Sequence, residues 1–207
     1  MRSAIKRGLY LVTPDWEDTP RLIAATRAAV RGGAVCVQYR RKEGTTSQRM
    51  EQALSLSVLL RQLGVTFIVN DDAALAAAVA ADGVHVGRDD GDVAALRKRH
   101  GSDFIIGVSC YNDFTRAQKA AADGASYIAF GAMFASPTKP QAVAAPLDLV
   151  VRARTELSLP VACIGGITAD NALPLVEAGA DLLAVITDVY SDADPGAKAA
   201  RFAALYK

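Results

Sequence analysis

The sequence predicts an α/β fold, a single-domain (β/α)8 TIM barrel over residues 1–207. Three observations point there. Eight short apolar runs punctuate the chain, and continuous rather than alternating apolarity marks parallel strands covered on both faces. Each run is followed by a stretch rich in Ala, Leu, Arg and Glu, a helical composition. Several returns from helix to strand carry a glycine, which tolerates the left-handed backbone that closes a helix.

The first strand, 9–12, ends at Thr13, Pro14 and Asp15 and leads to a helix over 21–31. Arg31, Gly32 and Gly33 turn the chain into the second strand, 35–39, and a helix over 47–63 follows. After the third strand, 66–69, and a helix over 73–80, Asp82 and Gly83 open the fourth strand, 83–86. A helix over 92–99, the fifth strand at 104–108 and a helix over 114–122 come next, and Asp123 and Gly124 precede the sixth strand, 127–130. Helix 147–156, strand 161–164, helix 171–178, the Gly179 return, strand 182–186 and helix 197–205 complete the series. Eight parallel strands joined by right-handed crossovers can close on themselves and remove both sheet edges. The competing open, doubly wound sheet usually shows G-x-G-x-x-G after its first strand, and that fingerprint is missing after Thr13.

Composition narrows the function. Hydrophobic residues make up 51% and charged residues 22%, which is ordinary for a packed globular chain. A formal charge of +1 supplies no broad basic field, so nucleic acid is a poor partner and any anion must be held locally. The three cysteines, Cys36, Cys110 and Cys163, lack metal-type spacing and an even count, which suits a reducing cytoplasm. No apolar run reaches the roughly 20 residues of a membrane span, and the basic start lacks a signal-peptide core. A soluble, unprocessed cytoplasmic protein acting on small molecules is expected, as a possible homo-oligomer.

In such a barrel, polar residues just beyond the C-terminal ends of the strands share one rim. Gln38, Arg40 and Lys42 follow the second strand and can point the same way, two cations and an amide suited to a polyanion. The plain alternative is a solvated basic turn. Asn70, Asp71 and Asp72 end the third strand, and Asp89 and Asp90 stand after the fourth. Acids on adjacent strands suit Mg²⁺ completed by water and substrate phosphate, although Asp72 and Asp90 can equally cap or begin helices. The segment over 130–139 brings small residues together with Ser136, Thr138 and Lys139, a cation able to neutralise a departing anion. Such residues also suit a plain surface loop. Gly165, Gly166, Ile167 and Thr168 after the seventh strand, with Ile186 and Thr187 after the eighth, occupy the customary phosphate seat of this barrel. Ser109, Cys110 and Tyr111 end the fifth strand and face the rim. Cys110 has no apparent base, because His85 lies within a strand and His100 near a helix end, so the histidines and cysteines read as structural.

With these motifs in view, the chain closely resembles the thiamine phosphate synthase family, nearly from end to end. The resemblance rests on the start of the first strand, Gln38 with Arg40 and Lys42, Asn70 with Asp71 and Asp72, the run from Gly83 through His85 to Gly87 and Asp90, Ser109, the Ser136, Thr138 and Lys139 loop, and Ile164 to Ile167. It implies a transferase joining a hydroxymethylpyrimidine diphosphate to a thiazole phosphate, with Mg²⁺ assisting departure of pyrophosphate. It also implies that Asp71 and Asp90 hold the metal, and that Gln38, Arg40, Lys42, Asn70, Ser109 and Lys139 contact the pyrimidine diphosphate. Ser136, Thr138, Gly166, Ile186 and Thr187 would contact the thiazole phosphate. Lys139, Arg40 and Ser109 are the groups expected nearest the chemistry. Two alternatives remain: a thiazole tautomerase-like relative, disfavoured by Tyr111 where those relatives use histidine, and a non-catalytic phosphate-binding barrel, which leaves the paired acids unexplained.

Overall fold

The computed structural model describes residues 5–88, 90–135 and 143–207. Its parallel strands are β1 (Gly8–Val12), β2 (Cys36–Tyr39), β3 (Thr66–Asn70), β4 (Gly83–Val86), β5 (Ile105–Tyr111), β6 (Tyr127–Phe130), β7 (Val161–Ile164) and β8 (Leu182–Val185). They are hydrogen-bonded in sequence order, and β8 returns to β1 through Gly8 opposite Leu182 to Leu11 opposite Val185, closing the barrel. Around it run α1 (Thr19–Arg31), α2 (Thr46–Leu63), α3 (Ala73–Ala78), α4 (Val93–His100), α5 (Phe114–Ala122), α6 (Asp148–Glu156), α7 (Leu173–Glu177), α8 (Thr187–Tyr190) and α9 (Pro195–Ala204).

Local chemistry explains where the helices begin. Asp18, Asp72, Asp92, Asp113 and Asp194 each accept a backbone N–H in the first turn of α1, α3, α4, α5 and α9. At α2, Thr45 and Gln48 exchange hydrogen bonds as a capping box. Asp72 is therefore a cap, as the plainer sequence reading allowed.

The strands' alternation divides the core into two shells. Leu9, Leu11, Val37, Val69, Val84, Ile106, Val108, Ile128, Val161 and Val185 face the helices. Tyr10, Val12, Cys36, Ile68, Ile105, Tyr127, Ala129, Ala162, Leu182 and Ala184 fill the lumen. Tyr127 crosses the lumen beside β5, where Gly107 makes room: a methyl group at 107 would overlap the phenol.

The lower rim is sewn by a recurring device. The residue just before β4, β6 and β8 accepts an amide from the preceding strand: Asp82 from Phe67 N at 2.7 Å, Ser126 from Ile106 N at 3.1 Å, and Asp181 from Val161 N at 3.0 Å. Each of these residues also returns its own N–H to that same neighbour. Asp181 is buried and further paired with Arg7 at 3.1 Å and Arg154 at 3.7 Å.

Beyond shifts of one or two residues at element ends, the structure adds detail to the sequence reading at β5, α8 and α7. β5 runs three residues past 108, so that Ser109, Cys110 and Tyr111 do end the strand, and it carries a register shift against β6 between Ser109 and Tyr111. α8 is an additional helix, of one turn, between β8 and the terminal helix. α7 is shorter than expected, because Pro174 sits in its first turn and the chain before it is bound up in a turn around Asn171.

Asp181→Ala should cost about 3 kcal/mol, since a buried N–H loses its acceptor and two arginines lose their counter-charge. Thermal melting should show a drop of about 6–12 °C. Asp181→Asn, which keeps an acceptor for Val161, should lose less than half of that.

Candidate active site

The upper rim gathers charge from β1 to β4. Arg40 is locked at the exit of β2 by two bonds to Thr13: Arg40 N donates to Thr13 Oγ1 at 2.8 Å, and Thr13 Oγ1 donates to Arg40 O at 3.1 Å. Its guanidinium reaches Asp15 at 3.2 Å, and Asp15 also accepts Lys42 N at 2.7 Å. Asp15 therefore holds the basic turn in place from the neighbouring strand, a role the sequence reading did not assign. Gln38, one pleat below Arg40, is buried and points into the lumen.

Asp71 follows β3 with φ 62°, a left-handed backbone that a non-glycine residue adopts at a cost. Its N–H is tied to His85 O at 2.8 Å, and its carboxylate accepts from Asn70 Nδ2. That conformation turns the carboxylate toward Asp90, which follows β4 and accepts Gly87 N at 3.0 Å. Burial first, then the Asp90 carboxylate, push the Asp71 carboxyl from 3.8 up to about 6, against the Asn70 hydrogen bond and the nearby Lys42 charge. Two carboxylates held face to face are costly without a cation between or beside them. Among the described residues no group of three or more His, Cys, Asp and Glu forms a metal cluster, and a pair of carboxylates is the protein share that Mg²⁺ takes when phosphate and water supply the rest.

Ser109 faces the lumen, its Oγ 2.8 Å from His85 Nε2. Arg116 of α5 braces this corner, donating to Ser109 O at 2.7 Å and to Gly87 O at 2.8 Å. Tyr111 also has a left-handed backbone, φ 56°, and its hydroxyl accepts from Arg88 N at 3.3 Å. Cys110 points instead into the core, where burial pushes its thiol up to about 12, which fits packing rather than nucleophilic duty.

On the far side of the mouth, Gly166 has φ 62° and packs on the carbonyls of Phe134 and Ala135 so closely that a side chain has no room. Met133 N to Ile164 O and Phe134 N to Gly165 O, both 3.0 Å, fasten the loop after β6 to this turn. Asn171 holds the turn from within, donating to Gly166 O at 3.0 Å and accepting Thr168 N at 2.8 Å. Asp188 links it to α8 by accepting Ala169 N at 3.0 Å. Ile186 and Thr187 open α8, which has no side-chain cap. Gly166, Ile186 and Thr187 thus follow adjacent strands at one side of the rim. Ser136, Thr138, Lys139 and Asp89 lie outside the described residues.

This arrangement coincides with a known sequence family: the family model described as thiamine monophosphate synthase matches residues 9–189. The chain belongs to that family. It is 56% identical over 200 residues to the thiamine-phosphate synthase of Azoarcus sp. (strain BH72), covering 97% of each chain. Against the thiamine-phosphate synthase of Chromobacterium violaceum the identity is 54% over 194 residues, covering 94% of this chain and 93% of the relative. Among solved structures, thiamine phosphate pyrophosphorylase from Pyrococcus furiosus matches with a TM-score of 0.86 and 30% identity, covering 98% of this chain and 96% of the other. As a thiamine monophosphate synthase family member the chain is a transferase of thiamine biosynthesis. No helix among the described residues is long and apolar enough to cross a membrane.

The Asp71 carboxyl binds its proton more tightly in the folded chain than the unfolded, so its contribution to stability is full below about pH 4 and is lost as pH rises through about 6. Asp71→Asn removes that loss. Without metal, the variant should melt above the wild type at pH near 8, and the gap should close near pH 4; melting curves across that range with chelator present check the sign.

Proposed function

We infer that this chain, over 1–207, is one catalytic domain that condenses 4-amino-2-methyl-5-(diphosphooxymethyl)pyrimidine with a thiazole phosphate, giving thiamine phosphate and pyrophosphate. The observation that carries this reading is the meeting of Asp71 and Asp90 at the ends of adjacent strands, beside Arg40 and Lys42 and across the mouth from the Gly166 and Thr187 turn. Such a site asks for a metal-bound diphosphate on one side and a monophosphate on the other.

Asp71 and Asp90 would hold Mg²⁺, whose charge would offset that of the leaving diphosphate. Arg40, Lys42 and Lys139 would bind its oxygens and stabilise the charge that collects on them as the C–O bond to the pyrimidine methylene breaks. Asn70 would position the diphosphate from above β3. Gln38 and Ser109 would hold the pyrimidine ring within the lumen. Ser136, Thr138, Gly166, Ile186 and Thr187 would seat the thiazole phosphate so that its ring nitrogen faces the methylene carbon. No side chain needs to act as a nucleophile: with bond breaking running ahead of bond making, placement and charge complementarity carry the reaction.

Pyrophosphate release should require Mg²⁺ and both substrates together; a discontinuous assay omitting each in turn checks this, and isomerisation of a thiazole without coupling would instead support the tautomerase-like alternative. Asp71→Ala should lower turnover by about a hundredfold or more while leaving the fold intact, because a rim carboxylate contributes little to core burial. Lys139→Ala should depress kcat by about a hundredfold, more than it raises KM, and an unchanged kcat removes Lys139 from the chemistry.

A further inference from the structure

Five side chains facing the lumen form one unbroken hydrogen-bonded line. Gln38 Nε2 donates to Tyr10 Oη at 2.5 Å, and the Tyr10 and Tyr127 hydroxyls lie 2.7 Å apart. Tyr127 Oη is 2.8 Å from His85 Nδ1, and His85 Nε2 is 2.8 Å from Ser109 Oγ. The line runs from the side chain of β2 through β1, β6 and β4 to that of β5, joining the two residues assigned above to the pyrimidine.

The protons in this line have one consistent order. Burial pushes both phenols well above their ordinary range, so each keeps its proton, and the buried imidazole, set between two neutral hydroxyls with no carboxylate on either ring nitrogen, carries one proton as a neutral ring. Tyr10 Oη accepts from Gln38, so its own proton goes to Tyr127. The Tyr127 proton goes to His85 Nδ1, which must be bare, and the imidazole proton on Nε2 goes to Ser109 Oγ. Gln38 Oε1 takes no hydrogen bond from the described residues. Gln38 is buried at the top of the lumen, and its Oε1 is not among the sealed, unpartnered side-chain atoms of the described residues, so this oxygen is left to accept. Ser109, already accepting at its oxygen, has a hydroxyl proton left to give.

We propose that Tyr10, Tyr127 and His85 are positioning residues that lock Gln38 as an acceptor and Ser109 as a donor, selecting a heteroaromatic ring with an amino donor and a ring-nitrogen acceptor over its oxo analogue. The proposal deepens, and rests on, the assignment of Gln38 and Ser109 to the pyrimidine. An oxo ring presents the opposite pattern, a carbonyl acceptor and a ring N–H donor. Accommodating it requires turning the Gln38 amide over and reversing every proton along the line together, since each inner group has only one to give. A site built on buried, committed polar groups rejects the mismatched partner far more strongly than an apolar pocket does. Gly107 stiffens the device, because the space the Tyr127 phenol occupies exists only without a side chain at 107.

Two measurements test this. The first is ¹⁵N-histidine spectroscopy of the full chain without ligands at neutral pH, with His100→Gln used to assign the His85 signals. A neutral ring protonated at Nε2 is expected; protonation at Nδ1, or at both nitrogens, overturns the proposal. The second compares kcat/KM for the aminopyrimidine diphosphate and its oxo analogue in the wild type and in Tyr127→Phe. The preference for the amino substrate should fall about tenfold, the value of one matched hydrogen bond, with KM changing more than kcat and with the His85 signals moving toward mixed tautomers. An unchanged preference in the folded variant overturns it. Tyr10→Phe, which cuts the line at the Gln38 end, is read the same way and replaces Tyr127→Phe if that variant does not fold. Failure of the wild type to use either pyrimidine sinks the synthase reading, and the tautomer then decides the order of the protons by itself.

Discussion

Every feature of this molecule follows from one constraint, the two-residue alternation of a closed parallel sheet. Closure leaves no edge, so each strand residue faces either the helices or the lumen. Outside, the requirement is met by Val, Ile and Leu packed under the helices. Inside, the same alternation places Gln38, Asn70, His85 and Ser109 on inward positions near the top. Polar groups cannot be left bare in that space, and they complete one another's hydrogen bonds or open onto the mouth. The lumen is therefore apolar at its floor, hydrogen-bonded at its middle and charged at its rim.

The rim stores the cost that the middle avoids. Asp71 adopts a left-handed backbone and faces Asp90, and among the described residues Lys42 and an amide hydrogen bond give it partial relief. Arg40, by contrast, already has Asp15 as a partner. The acids are thus the less compensated charges, an imbalance that favours capture of a cation before or together with an anionic substrate. On the opposite side the turn after β7 carries no comparable charge; it is shaped by Gly166 and held by Asn171, presenting backbone rather than side chains. A monophosphate with one ring attached suits the second environment, and a metal-bound diphosphate the first.

Much of this was legible in the sequence because the signals were local. Apolar runs mark every strand of the barrel, and Asp72 reads as a possible cap, which it is; Asp18, Asp92, Asp113 and Asp194 cap four more helices that the sequence reading did not assign. The adjacency of Asp71 and Asp90 followed from their station after consecutive strands. What escaped was non-local. Asp15 grips a turn 25 residues away in sequence, which no motif announces. Tyr10 and Tyr127 are separated by 117 residues and read individually as apolar strand residues. His85 reads as structural, and it is buried, but both ring nitrogens are engaged in a line that ends at a candidate substrate contact. The register shift of β5 against β6 between Ser109 and Tyr111 is a property of two strands together. The roles of Ser136, Thr138 and Lys139 rest on the sequence, since the structure describes nothing of them.

The division between lumen and rim also bears on where the bond breaks. The hydrogen-bonded line beneath the mouth is built of an amide, three hydroxyls and an imidazole, and as proposed above it would offer directional contacts to a flat ring without adding charge. The groups above it are ionic and favour a polyanion regardless of fine geometry. A substrate whose ring lies in the lower layer and whose diphosphate lies in the upper one has its connecting methylene at the boundary between them. Under the proposed reaction, heterolysis at that carbon would leave positive charge over the neutral layer and deliver negative charge toward Arg40, Lys42 and a cation held by Asp71 and Asp90. The tyrosine hydroxyls beneath that boundary are poor nucleophiles for any electrophile the proposed reaction would form: burial keeps them protonated, and each spends its oxygen and its proton on a neighbour.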